Sequence, residues 1–299
     1  MWKIGYRRIY LLGSMLLLAM LAGCQDSMVR PTAPVAKAAI HATPYLPDSG
    51  GMPIGSFVLK GSSVVVHRDP SAAAIGVGRL FGGVGTAIAL GSADSNAKNT
   101  APAVNGLASI DLPLLATNLL KEKGEQNELG QYLSYESQPK NTPRYEVGSY
   151  LFVQVAEEDK VQISVITRVS KLDRQGNEGW VGQYIRHIPR LYRVSDFHPD
   201  VMDVKRLENS VGAAMQLAFN VMVADLNGEL GQAVEPNIKV SSPNVLWLSY
   251  GDWTGSFVGR LESSYNIVRS NCTSGDPACF GLHIFDFNQA RIQKFSVGG

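Results

Sequence analysis

Cysteine is scarce in this 299-residue chain: three residues in all. A disulfide-dense scaffold is therefore excluded. Net charge is also nearly missing. Lys and Arg total 27 against 26 Asp and Glu, a formal charge of +1. With no basic excess to neutralise phosphates, a dedicated nucleic-acid binder is excluded as well. Charged residues are only 18%, whereas hydrophobic residues reach 45%, more than a disordered chain carries. What remains is a globular protein of one large or two small domains.

Catalytic motifs are equally thin. The five histidines are His41, His67, His187, His198 and His283. None sits in HExxH, no two are four apart, and no Gly-x-Ser-x-Gly elbow occurs. The sequence His67-Arg68-Asp69 copies three letters of a kinase loop, with no asparagine five residues later. His198 with Asp196, Asp200 and Asp203 is the best cluster for a metal or an acid–base pair. Asp-rich loops before helices more often cap and solvate. Carboxylate pairs for glycan cleavage need not be close in sequence, but nothing points to one. The reading is non-catalytic, with no cofactor and no resident metal.

The first 23 residues are distinctive. Lys3, Arg7 and Arg8 form a positive patch, and Ile9 to Leu21 is apolar except for Gly13 and Ser14. That run is shorter than the ~20 residues a spanning helix needs, and it has the layout of an export signal. It ends in Leu21-Ala22-Gly23-Cys24. This ending resembles the lipobox of bacterial lipoproteins, with a leucine three before the cysteine and small residues between. The resemblance implies cleavage before Cys24 and acylation (palmitate among the chains) at its sulfur and its new amine. Several chains in a bilayer hold where one would not. Gln25, not aspartate, follows Cys24. By the sorting rule of enterobacterial lipoproteins that implies the outer membrane, facing the periplasm, with the inner membrane the lesser option. Removing three basic residues leaves 24 against 26 acidic ones, a mature side-chain charge of −2.

Residues 24–52 then read as the lipidated cysteine and a flexible tether, because Pro31, Pro34, Pro44 and Pro47 break helices and Ser49-Gly50-Gly51 closes it. Its root-mean-square reach is about 30 Å. Residues 53–228 are expected to be an α+β domain and 229–299 a β-rich C-terminal region. Short strands are expected at Ser56 to Leu59 and Ser63 to His67.

Residues 72–91 hold an unusual Gly-rich segment. Ala74, Gly78, Gly82 and Thr86 fall four apart, and Gly83, Ala87 and Gly91 make a second track. On a helix this puts small residues on one face, where another backbone can approach. The pattern resembles the glycine zippers of bacterial envelope proteins. An internal or self-associating helix, a membrane-contacting helix and a glycine loop all stay open. A dinucleotide fingerprint fails at Phe81.

Residues 91–108 read as a polar loop. Leu112, Leu115, Leu119 and Leu120 predict a helix over 110–123, and a second short helix is expected over 126–134. Strands are expected over 150–155, 161–169 and 180–188, the last stopped by Pro189, joined by short loops into an antiparallel β-meander. Leu207, Val211, Ala214, Met215, Ala218, Met222 and Leu226 stripe a long helix that ends at Asn227-Gly228. A linker over 229–243 precedes strands near 245–248, 255–262, 265–269 and 281–287. The fold class expected is α+β: a meander packed with two or three helices, plus the β-rich C-terminal part. This arrangement loosely resembles periplasmic α+β lipoproteins such as the curli secretion channel.

Cys272 and Cys279 flank Gly275-Asp276-Pro277, a turn that can bring them together. In an oxidising periplasm they are expected to form a disulfide. They do not make a zinc set with His283 alone. The leading functional expectation is a membrane-anchored envelope lipoprotein that binds protein partners or forms a homo-oligomer. The alternatives are an envelope hydrolase with dispersed carboxylates or a His198-centred site, and a small-molecule or lipid-binding module.

Overall fold

The computed structural model describes residues 38–45, 55–68, 91, 95–135, 144–156, 159–198, 200–230, 235–242, 245, 253–270 and 280–294. The expected export signal 1–23, Cys24, Cys272, Cys279 and the expected packing face Ala74, Gly78, Gly82 and Thr86 lie outside the described residues.

The chain is mixed α and β, built on one 12-stranded sheet. Three long strands form its middle: β5 (Arg144–Val155), β6 (Lys160–Leu172) and β7 (Glu178–Arg193). They pair antiparallel in succession, Val147 opposite Val169 and Thr167 opposite Tyr184. Their β-branched and aromatic alternation suits a pleated surface buried on both faces. The Asp173 carboxylate closes the turn between β6 and β7 by accepting from the Gln175 and Asn177 amides, both at 2.8 Å.

The free edge of β5 carries two short strands one after the other. β1 (Ala38–Ala42) runs parallel to residues 144–147, and β3 (Val64–Arg68) runs parallel to residues 151–155. β2 (Ser56–Val58) pairs with β3, and β4 (Leu133–Ser134) pairs with β1. The parallel pairs along β5 and at β4 make the sheet mixed rather than a plain antiparallel series. On the other side come β8 (Glu235–Ser241), β9 (Trp253–Leu261), β10 (Tyr265–Ser270), β11 (Leu282–Asp286) and β12 (Arg291–Lys294). β11 runs parallel to β7 at residues 184–186, so the C-terminal strands continue the sheet.

Two helices cover one face. α1 (Leu112–Glu125) starts at Asp111, whose carboxylate accepts from the Leu114 amide. α2 (Val204–Leu226) starts at Asp203, which accepts from the Arg206 amide. All seven residues of the α2 stripe named from the sequence are buried in a core with Val147, Val153, Val165, Ile284 and the inner side of α1. The other face holds Tyr150, Phe152, Ile166 and Ile185 in one cluster and Trp253, Val268 and Phe285 in another.

Several local expectations are corrected. The stretch 24–52 contains β1, with Ile40 fully buried; a run of alanines gives no strand signal until a parallel slot receives it. The loop expected over 91–108 is helical at 95–100 and forms a 3₁₀ helix at Ala101–Ser109, with Val104 and Leu107 buried. The short helix expected over 126–134 is a turn followed by β4, because Asn127 (φ 57°) and Gly130 (φ 74°) take left-handed conformations. The linker over 229–243 contains β8. Finally, β7 continues past Pro189 to Arg193: Gln162 pairs with Leu191 and Ser164 with His187, so a bulge over 188–190 absorbs the proline.

Ser95–Glu125 is long and apolar enough to cross a membrane by composition. It is interrupted near Ile110, and Ala101, Leu107, Leu112, Ala116 and Leu120 pack into the core.

Candidate anion-binding cleft

The bulge at Pro189 does more than accommodate a proline. β11 accompanies β7 only as far as Arg186, and beyond that point the bulged strand leans over the start of α2. Between them opens a cleft of about 280 Å³, lined by Arg186, Ile188, Arg190, Tyr192, Arg206 and Leu217 among others. A second hollow of about 190 Å³ adjoins it and shares Arg190, Tyr192 and Arg206. The floor is apolar, formed by Ile188, Ala214 and Leu217, all buried.

The three arginines differ in state. Arg186 is 6% exposed and already neutralised. It donates to the Asp286 carboxylate at 2.8 Å and to Gln289 and the Ile284 carbonyl at 3.2 Å, and it lies 5.3 Å from the Tyr265 ring centre. Arg190 and Arg206 are exposed, and neither guanidinium has a carboxylate within ion-pair reach among the described residues. Arg190 stacks over Tyr192 at 4.9 Å. Burial pushes the Tyr192 phenol up; the charges of Arg190 and Arg206 pull it down, and that of Asp196 pushes it up. Both arginines line the two adjoining hollows beside Tyr192. Guanidinium forks match a carboxylate or phosphate in two-point contact.

The cluster singled out from sequence, His198 with Asp196, Asp200 and Asp203, lies beside this cleft but has other duties. Asp196 accepts from the Arg193 amide at 2.9 Å, and Asp203 caps α2. His198 and Asp200 approach to 3.4 Å on the exposed surface. Among the described residues no group of three or more His, Cys, Asp or Glu side chains is placed to hold a metal.

Two buried polar chains lie elsewhere. Tyr184 on β7 donates to Asp225 on α2 at 2.9 Å, and Arg269 on β10 stands 3.7 Å from the same carboxylate. On the opposite face Ser164, His187 and His283 form a chain with contacts of 2.8 and 3.0 Å, and both imidazoles are fully buried. Each chain ties distant elements together through buried groups: Asp225, Tyr184, His187 and His283 have no solvent exposure.

Sequence reasoning missed the cleft. The signal was the run IRHIPRLYR at 185–193, with three arginines and a tyrosine in nine residues. Arg206 comes 13 residues after Arg193, and only the packing of α2 brings it back. No protein-family model matches the chain, and neither a characterised protein nor a solved structure matches it.

Proposed function

We propose that this protein is a lipid-anchored, periplasm-facing envelope lipoprotein that acts by binding rather than by catalysis. The observation that carries the reading is the succession of a positive patch, a short apolar run and Leu21-Ala22-Gly23-Cys24. Acyl chains on Cys24 anchor the chain to the outer membrane, the location that Gln25 favours. The α+β body, with its antiparallel meander as platform, stands off the bilayer on residues 25–37. In the leading reading it engages envelope protein partners or further copies of itself through the small-residue face of Ala74, Gly78, Gly82 and Thr86. Cys272 and Cys279 close a disulfide loop in that compartment.

A second reading is favoured by a specific observation. The cleft under Arg190 and Arg206 has an apolar floor and a cationic mouth, which suits a small-molecule or lipid-binding module.

Cys24→Ala is expected to abolish labelling by a radioactive fatty acid and to release the protein from the membrane fraction. Retention of either property overturns the anchor. Crosslinking in intact cells is expected to yield partner or self adducts. A monomer with no adduct removes the assembly reading and leaves the ligand-binding one.

A further inference from the structure

We propose that the cleft between β7 and α2 binds a small anionic amphiphile, its phosphate or carboxylate held between Arg190 and Arg206 and its apolar part laid on Ile188, Ala214 and Leu217. This deepens the ligand-binding reading above and is independent of the anchor at Cys24.

Three features point to that ligand class. First, two cations at the mouth are not held in ion pairs. Arg186 at one end is matched by Asp286, but Arg190 and Arg206 make no ion pair among the described residues. Asp196 and Asp203 line the adjoining hollow, where their carboxylates accept backbone amides of Arg193 and Arg206. Second, the cleft is amphipathic along its depth, with guanidinium groups at the rim and aliphatic side chains on the floor. A bare inorganic anion would leave that floor wet, and a neutral hydrocarbon would leave both cations unmatched. Third, the walls are aromatic. Tyr192 under Arg190 and Tyr265 beside Arg186 give stiff sides. Ser210 borders the rim, its hydroxyl turned to the Arg206 carbonyl at 2.9 Å. A volume of about 280 Å³ fits a headgroup and a short apolar segment, at the low end of small-ligand sites.

Such a ligand has two sources: a free amphiphile in the periplasm or a lipid drawn from the membrane. The test uses the mature chain from residue 24 with Cys24→Ser, so that its own acyl chains are absent. Titration calorimetry with hexyl phosphate is expected to show one site, at least tenfold tighter than inorganic phosphate because of the buried chain. The double variant Arg190→Gln/Arg206→Gln is expected to weaken hexyl phosphate binding at least tenfold with its thermal midpoint unchanged, since both side chains are exposed. Lys121→Gln, an exposed cation on α1, is expected to leave binding unchanged. Vesicles of phosphatidylcholine with one-fifth phosphatidic acid distinguish the sources. Capture that the double variant loses assigns the ligand to membrane lipid; hexyl phosphate binding without vesicle capture assigns it to a free amphiphile. Hexyl phosphate no tighter than inorganic phosphate, or equal affinity in the double variant, overturns the inference. Neither result touches the acyl-labelling test of Cys24.

Discussion

Tyr145 and Tyr184 are both buried tyrosines facing the α2 side of the sheet, yet their hydroxyls are in different situations. The Tyr145 hydroxyl has no hydrogen-bond partner among the described residues, and burial pushes its pKa up to about 12. The Tyr184 hydroxyl donates to Asp225, a carboxylate with no solvent exposure. Removing an unsatisfied buried hydroxyl differs from orphaning a buried acceptor. Tyr145→Phe is therefore expected to be neutral or stabilising by up to about 1 kcal/mol. Tyr184→Phe is expected to destabilise by about 1–3 kcal/mol. Urea unfolding of the two variants checks this; equal losses would refute the distinction.

His187 sets a pH dependence at the same scale. Burial, then the neighbouring His283 and Arg186, hold its pKa well below the usual imidazole value. The folded state thus keeps His187 neutral where the unfolded chain takes up a proton. Stability is fully present above about pH 6.5 and falls as pH drops below it, by about 1.4 kcal/mol per pH unit for one proton. Unfolding free energies are expected to be level from pH 7.5 to about 6.5 and to decline toward that slope by about pH 5. A flat profile would show that His187 titrates alike in both states.

Among the elements, β11 holds the position on which the sheet's continuity depends. Its antiparallel partner is β10, but its parallel pairing with β7 is what joins the C-terminal strands to the long central ones. Gly281 opens it at φ 127°, and a Cβ there would stand 2.5 Å from the Gln183 carbonyl oxygen. Both backbone strain and collision therefore oppose any side chain. Gly281→Ala is expected to destabilise by about 1–3 kcal/mol. It should also speed hydrogen exchange in β10 and β11 before β5 and β6; uniform protection would place the weak junction elsewhere.

At the scale of the molecule, the proposed mature form, cleaved before Cys24, has a side-chain charge of −2. General electrostatics would not attach that form to an anionic membrane, and the proposal assigns anchoring to Cys24. The cationic cleft is a local exception within a slightly acidic protein. A small anion is therefore expected to bind there with a marked salt dependence, weakening as ionic strength rises from about 0.05 to 0.3 M. The same titration in added sodium chloride measures it, and salt-insensitive binding would place the ligand on an uncharged surface.

The elements legible in the sequence were those with a strong period. The α2 stripe from Leu207 to Leu226 and the alternation in β6 each carry their own burial pattern, and Asn227-Gly228 and Asp203 mark the ends of α2. β1, β4 and β8 were illegible because they are short or polar, and their strand character comes from the neighbour they pair with. The 3₁₀ helix at Ala101–Ser109 was hidden by small residues that suit a loop equally well.

By itself, the sequence carried the proposed export address, the proposed lipid-bearing cysteine and the long amphipathic elements, because each depends on contiguous residues. Tertiary structure alone decided that β11 lies beside β7 and that β1 and β3 share the edge of β5. It likewise decided that Arg190, Tyr192 and Arg206 line one cleft. Those relations join residues far apart in the chain, and only packing of one apolar face against another sets which distant segments become neighbours.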